Sequence, residues 1–230
     1  MIVSINQPAY LPWLGYFDRI AASDVHVVLD HVQFEKNSFV NRNRIRTAQG
    51  PAWLTVPVRT KGRFGELPIR ELEVDTAQPW QRKHWATIRQ AYARAPHFAE
   101  HEAFLAGVYE RDWPLLAPLA AELTAWQLDA FGIRTPLRSS TKLGAEGAKD
   151  ELVLDICRRL GASTYLSGAL GRDYLREELF EAEGIRVVYQ DYDHPAYRQL
   201  HEPFEPQLAA LDLLLNEGPA GGRILATSRV

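Results

Sequence analysis

Short apolar segments that alternate with helical stretches are the feature of this sequence that most restricts its fold. Residues 1–5 and 24–30 are the first two such segments, and both are almost continuously apolar. This pattern is typical of strands in a parallel sheet whose two faces are covered by helices. We therefore predict an α/β fold, a three-layer, mainly parallel, Rossmann-like and nucleotidyltransferase-like sheet. The predicted strands are at Ile2, Val27, Leu137, Tyr165 and Val188, and the predicted later helices cover residues 150–160, 173–183 and 205–215.

The middle of the chain has a different pattern. The length of 230 residues fits a single domain, 1–230, in which residues 51–132 form an inserted β-ribbon and a helical segment. Residues 52–58 and 69–74 alternate in polarity, which predicts the two strands of an antiparallel ribbon. The basic loop at residues 60–65 would be its mobile tip. It is either a phosphate-contacting flap or, as we prefer, a solvated hairpin.

Composition excludes several classes of protein. A net charge of −3 gives no general attraction to nucleic acid or to an anionic membrane. No apolar run is long enough to cross a bilayer, and residue 1 begins a strand without a signal peptide. The one cysteine, Cys157, lies on the apolar side of a predicted helix and is interpreted as a packing residue. These observations favour a cytoplasmic protein with no nucleic-acid or membrane partner.

Polar side chains follow the predicted strands at the ends where a parallel sheet binds its ligands. Asp30 and His31 come directly after the second strand. There His31 would act as a general base and Asp30 would orient it. Adjacent side chains on a strand point to opposite faces, so the two residues cooperate only if the chain bends there. The alternative is a capping aspartate and a surface histidine.

Several stretches resemble one known family. The N-terminal ones are residues 7–17, with Gln7-Pro8, Tyr10-Leu11-Pro12-Trp13 and Gly15-Tyr16-Phe17, then residues 29–34 and 41–45. The later ones are Lys83-His84, Ser139-Ser140-Thr141, residues 160–168, Gly184-Ile185 and residues 194–199. The chain resembles the WbqC-like protein family over almost its whole length. The resemblance implies a place in O-antigen, other bacterial surface-polysaccharide or specialised-metabolite biosynthesis. It is also the reason to include Lys83 and His84 among the candidates.

The remaining candidates are polar residues expected to bind substrate. Arg44 and Lys142 would contact an anionic group, and the amides and hydroxyls would hydrogen-bond. The turn that carries Tyr10 has a second reading as a purely structural element. We expect Gln7, His31, Arg44, Ser167 and His194 to line one cleft. The full set is Gln7, Tyr10, Gln33, Lys36, Asn41, Asn43, Arg44, Lys83, His84, Ser139, Lys142, Ser167, Gly168, His194, Tyr197 and Gln199.

Three functions remain open at this point. The preferred one is a transferase that moves an acyl or aminoacyl group to an amine or hydroxyl of a small nucleotide- or carrier-linked substrate such as an amino sugar. The alternatives are a nucleotide-dependent ligase or nucleotidyltransferase, and a non-catalytic binding subunit. Residues 13–16 lack the two histidines of the nucleotidyltransferase turn, which argues against nucleotidyl transfer. No metal-ligand spacing, P-loop or Rossmann glycine fingerprint is present, so we expect neither metal nor cofactor. The expected partner is a small anionic or nucleotide- or carrier-linked substrate, and a carrier protein is a second candidate.

Overall fold

The computed structural model describes residues 1–63 and 65–227. Its strands are β1 (Ile2–Asn6), β2 (Val25–Val28), β3 (Arg42–Thr47), β4 (Gly50–Thr55), β5 (Leu137–Ser139), β6 (Thr164–Ser167) and β7 (Arg186–Tyr189). Its α-helices are α1 (Leu14–Ala21), α2 (Trp80–Tyr92), α3 (Phe98–Glu110), α4 (Leu116–Ala130), α5 (Ser140–Leu143), α6 (Lys149–Leu160), α7 (Glu177–Glu181), α8 (Ala210–Glu217) and α9 (Gly221–Leu225). Short 3-10 helices cover Ile69–Glu71, Ala169–Asp173 and Gly218–Ala220.

The main sheet is parallel throughout and has the order β5-β2-β1-β6-β7. Ile2 pairs with Thr164, so the first strand lies in the same sheet as the strand that contains Tyr165. The predicted parallel α/β fold and its five strands are confirmed. The strand order reverses at β1, which has β2 on one side and β6 on the other. In open α/β sheets this switch point is where ligands bind, beyond the carboxyl ends of the strands.

Helices cover both faces of the sheet and complete the three layers. On one face, α1 packs with α8 and α9 through Leu14, Phe17 and Leu213. On the other face, Val3, Ile5 and Val27 pack against α6 and α7. Because both faces are covered, the strands have the near-continuous apolar pattern that identifies them in the sequence.

The inserted ribbon begins earlier than predicted. Its strands are β3 and β4, with Arg44 opposite Trp53, and the predicted pairing of residues 52–58 with 69–74 is wrong. Residues 69–71 form a 3-10 turn, and only the isolated bridge between Val58 and Val74 joins the two segments. The strand β3 is not apparent in the sequence because three arginines and one asparagine occupy it, and Asn43 is buried with its amide hydrogen-bonded. A buried polar side chain with a partner fits a strand that hydrophobic alternation does not reveal.

Two of the predicted later helices are shifted or shortened. The helix expected at residues 173–183 is reduced to α7, because residues 169–173 form a 3-10 helix first. The helix expected at residues 205–215 is α8, which begins at Ala210. All residues of α8 from Ala210 to Asn216 are buried. Leu211 and Leu215 face the core of the insertion, whereas Leu213 and Leu214 face the sheet, so α8 is shared by two hydrophobic cores.

Candidate active site at the carboxyl edge of the sheet

Asp30 is held by hydroxyl and amide donors from the start of α5. Its carboxylate accepts hydrogen bonds from Ser139 Oγ (2.7 Å), Ser140 Oγ (2.9 Å), the Thr141 backbone N–H (3.0 Å) and Thr141 Oγ1 (2.8 Å). The register explains this contact, because Val28 at the end of β2 lies opposite Ser139 at the end of β5. Partial burial raises the pKa of Asp30, but these hydrogen bonds outweigh it and lower the pKa below its ordinary value. Asp30 is therefore an ionised anchor at neutral pH.

His31 is joined to the same cluster through Ser140. Its Nδ1 lies 2.6 Å from Ser140 Oγ, and the chain bends at His31 and Val32, as cooperation with Asp30 requires. Ser140 Oγ also accepts the Asp30 backbone N–H at 3.1 Å. The single Ser140 hydroxyl proton goes to the Asp30 carboxylate, which has no proton to give. His31 must then donate its Nδ1 proton to Ser140, and this leaves the Nε2 lone pair available.

A second polar group lies at the switch point of the sheet. Arg19 reaches from α1 to the carboxyl end of β1, where its Nη1 donates to Asn6 Oδ1 at 2.7 Å. Its Nε donates to Oε1 of Gln190, the residue directly after β7, at 2.9 Å. The guanidinium also packs against Gly168, just beyond β6. Asn6 pairs with Val28, so His31 lies on the order of 10 Å away, given ordinary strand spacing and rise.

Four of the predicted binding residues are buried with partners inside the protein. Tyr10 has its hydroxyl 2.8 Å from His84 Nδ1 and 2.5 Å from the Tyr109 hydroxyl. Asn41 donates to the Val56 carbonyl at 2.9 Å, and Asn43 donates to the Leu11 carbonyl at 2.5 Å. These contacts fasten the N-terminal turn to the ribbon and to α2. In this arrangement the four side chains pack and hydrogen-bond inside the protein.

Residues 191–207 and α2 supply hydrogen-bond donors to a buried carboxylate on α8. Asp212 accepts hydrogen bonds from Tyr92 (2.7 Å), Tyr197 (2.8 Å) and Gln199 (2.9 Å), and burial raises the pKa of Asp212. The predicted binding residues Tyr197 and Gln199 therefore hold residues 191–207 against α8. His194 instead stabilises the segment internally, since its Nδ1 donates to the Pro195 carbonyl and its Nε2 accepts the Gln207 backbone N–H.

The other predicted residues fall into three environments. Gln33 joins its loop to the segment before Pro68 by accepting the Leu67 backbone N–H at 2.7 Å, and Arg44 pairs with Glu205 at 3.8 Å. Ser167 is buried, and its hydroxyl donates to the Gly168 carbonyl at 3.1 Å. The remaining members are partly or fully exposed, and they are Gln7, Lys36, Lys83 and Lys142. It stays a prediction that one cleft is lined by Gln7, His31, Arg44, Ser167 and His194.

The basic loop after β4 borders a separate groove of about 540 Å³. Arg59 pairs with Glu73 at 3.6 Å, and Arg63 pairs with Glu71 at 2.8 Å, both within that groove. Paired arginines of this kind favour a solvated loop, without the two predicted strands, over a phosphate-contacting flap. The predicted mobility of residues 60–65 stays a prediction, and Phe64 lies outside the described residues.

Comparison with known proteins assigns the chain to a family. A model of the WbqC-like protein family matches residues 7–224. The chain belongs to the WbqC-like protein family. It is 40% identical over 218 residues to the uncharacterized protein Rv1507c of Mycobacterium tuberculosis, with 94% of each chain covered. No solved structure matches the chain.

Membership of the WbqC-like family does not by itself identify Arg19, which sequence reasoning missed. Arg19 looked like an ordinary basic residue in an amphipathic helix, and Gln190 is 171 positions away from it. The one available signal was Asn6, a polar residue at the end of an apolar strand, which marks the switch point. Among residues 1–63 and 65–227, no group of three or more histidine, cysteine, aspartate or glutamate side chains is arranged to hold a metal ion. No helix in that same part of the chain has the length and apolarity needed to cross a membrane.

The structural role of Tyr197 can be tested with one substitution. Tyr197→Phe removes the hydroxyl that donates to Asp212 but leaves the ring and its packing. We expect the free energy of unfolding to fall by about 1–2 kcal/mol, because a buried carboxylate loses a hydrogen bond. Urea unfolding of this variant, with Tyr189→Phe as a partly exposed control, measures the change. Unaltered stability together with weakened substrate binding would instead assign Tyr197 to the binding site.

Proposed function

We propose that this chain is a biosynthetic transferase that moves an acyl or aminoacyl group from an activated ester or thioester to an amine or hydroxyl. The acceptor would be a small nucleotide- or carrier-linked substrate such as an amino sugar, and the reaction would take place in the cytoplasm. One observation carries the proposal: His31 has Nδ1 fixed by Ser140, which leaves Nε2 as a base at the ligand-binding edge of the sheet.

The cluster supports direct transfer in a simple proton cycle. Nε2 of His31 takes a proton from the acceptor amine or hydroxyl as that group attacks the donor carbonyl carbon. The new C–N or C–O bond forms, the donor C–S or C–O bond breaks, and the leaving sulfur or oxygen recovers the proton from Nε2. While protonated, the imidazolium is stabilised through Ser140 by the Asp30 carboxylate, which remains ionised throughout.

Neither the Ser140 hydroxyl nor the Cys157 thiol is suited to form a covalent enzyme intermediate. Ser140 is fully buried, and its oxygen already donates one hydrogen bond and accepts two. Cys157 is buried in the core of the sheet, and burial raises the pKa of its thiol to about 12. A thiol with so high a pKa is not ionised at neutral pH and is a poor nucleophile. These contacts support direct attack of the acceptor on the donor.

A product assay separates this proposal from its alternatives. Purified protein is incubated with aminoacyl and acyl thioesters of pantetheine or of a carrier protein, together with a panel of nucleotide-linked amino sugars. Mass spectrometry should find an acceptor whose mass has increased by the acyl group, with one thiol released for each product and no ATP required. Product formation that depends on ATP would establish a ligase instead. Binding of the acceptors with no product under any condition would establish a non-catalytic subunit.

A further inference from the structure

Arg19 lies at the switch point as a partly buried cation whose hydrogen-bond partners in the described structure, Asn6 and Gln190, are neutral amides. The Asp18 carboxylate acts on it electrostatically and accepts a hydrogen bond from Nε2 of the same Gln190 at 2.5 Å. Burial lowers the pKa of Arg19, although the tyrosine hydroxyls of residues 165 and 16 and the Asp18 carboxylate oppose the shift. A positive charge in such a place is stabilised when an anion binds beside it.

The neighbouring amide supplies a second donor without a partner. Asn6 must direct its Oδ1 toward Arg19, because the guanidinium only donates. Its Nδ2 is therefore directed away, and it is buried with no hydrogen-bond partner in the described part of the chain. Buried donors nearly always have partners, so an unpaired one beside a cation indicates a missing acceptor. The orientation of Gln190 is also fixed, since its Nε2 donates to the Gly15 carbonyl at 2.9 Å.

Gly168 makes the opposite wall of this site. A β-carbon at position 168 would lie 2.8 Å from both Nη1 and Nη2 of Arg19, closer than a side chain is normally allowed. The backbone there has φ −71° and ψ 164°, which any residue can adopt. The glycine is therefore needed for space and not for backbone conformation. The absence of a side chain lets the guanidinium pack directly against the backbone at the carboxyl edge of β6.

We infer that Arg19, Asn6 and Gly168 form a phosphate-binding subsite that anchors the nucleotide- or carrier-linked substrate at the switch point. Guanidinium N–H donors match the oxygens of phosphate groups, and this position is where open α/β sheets hold phosphates. The inference rests on the proposed function, because the anchored molecule is the substrate that the His31 base acts on. It adds the chemical group by which that substrate is held.

Isothermal titration calorimetry at one ionic strength tests the inference with three probes: uridine diphosphate, 4′-phosphopantetheine and inorganic phosphate. The wild-type chain should bind at least one organic probe, and the one it binds more tightly identifies a nucleotide or a carrier as the source of the phosphate. Arg19→Gln should weaken that binding by about 10- to 100-fold, the loss expected for charge-assisted hydrogen bonds. Arg158→Gln, an exposed arginine on α6 that pairs with Glu183, is the matched control and should bind as wild type does.

A second variant keeps the test informative if Arg19→Gln fails to fold. Gly168→Ala leaves the backbone unstrained but displaces the guanidinium, and it should also weaken binding. His31→Ala should bind the probes as wild type does while losing transfer, which separates the two proposals. A wild-type chain that binds none of the three probes overturns the phosphate subsite. Folded Arg19→Gln or Gly168→Ala protein that binds as wild type does also overturns it, whatever happens to turnover.

Discussion

Replacement of His31 with alanine should slow transfer by about 100- to 10,000-fold, the usual loss when a general base is removed. Stability should change little, since the partly exposed ring makes a single hydrogen bond in the described structure, to Ser140. Thermal melting together with single-turnover kinetics measures both effects. His201→Ala is a suitable control, because that histidine is also partly exposed and lies outside the cluster. A His31→Ala protein that melts and reacts as wild type does would move the catalytic site elsewhere.

Asp30 should set the tautomer of His31 through Ser140, which gives a second prediction for the same base. Asp30→Asn leaves one acceptor oxygen where the carboxylate has two, so the Ser140 hydroxyl can turn its proton toward His31 Nδ1. The imidazole would then have its proton on Nε2 and could no longer act as a base there. We expect the rate to fall by about the factor seen for His31→Ala, with substrate affinity retained. Unchanged turnover in this variant would show that Asp30 does not set the tautomer.

Acidification should destabilise the protein well above the pH at which carboxylates titrate. Burial lowers the pKa of His26 to about 3 and the pKa of His84 to about 4. In the unfolded chain both titrate near their ordinary pKa of about 6.5, so below that pH the unfolded state binds protons that the folded state excludes. Each histidine then costs about 1.4 kcal/mol per pH unit. From pH 6.5 to 4.5 the two together should reduce the free energy of unfolding by about 5 kcal/mol.

Urea unfolding at a series of pH values tests this expectation. Asp212 acts in the opposite direction, because its pKa is raised and its contribution to stability increases as the pH falls toward the ordinary carboxyl pKa. The decisive variants are therefore His26→Asn and His84→Asn, each of which should remove close to half of the histidine slope. The control His201→Asn should keep the full slope. Slopes that stay the same in all three variants would show that the buried histidines are not the acid-sensitive groups.

The five strands were predictable because burial on both faces leaves a nearly continuous apolar pattern in the sequence. The contact between Asp30 and Ser139 was predictable for the same reason, since both residues lie at the ends of predicted strands of one parallel sheet. By contrast, β3 could not be recognised from the sequence because most of its side chains are polar. A strand that contains Arg42, Asn43 and Arg44 resembles a binding motif, and its buried amide is satisfied by a carbonyl that only the fold brings near.

The polar clusters of the interior were beyond sequence reasoning because their members are distant in the chain. Asp212 lies within a run of leucines, and nothing local shows that Tyr92 and Tyr197 donate to it. Arg19 and Gln190 meet only after β1 and β7 take their places in the sheet. Residue type shows that such side chains need partners, but the identity of each partner depends on the tertiary structure.

The order of the strands also determines when, during synthesis of the chain, the cluster around Asp30 can assemble. The donors around Asp30 are 109 to 111 positions later in the chain, with the whole insertion between them. A growing chain that has completed β2 thus has a carboxylate and an imidazole but nothing to align them. The hydroxyls arrive only after the ribbon and α2, α3 and α4 have been synthesised, and β6 and Gly168 follow later still. An incomplete chain therefore lacks the aligned cluster that the proposed function requires, and this cluster forms only when the C-terminal half has joined the sheet.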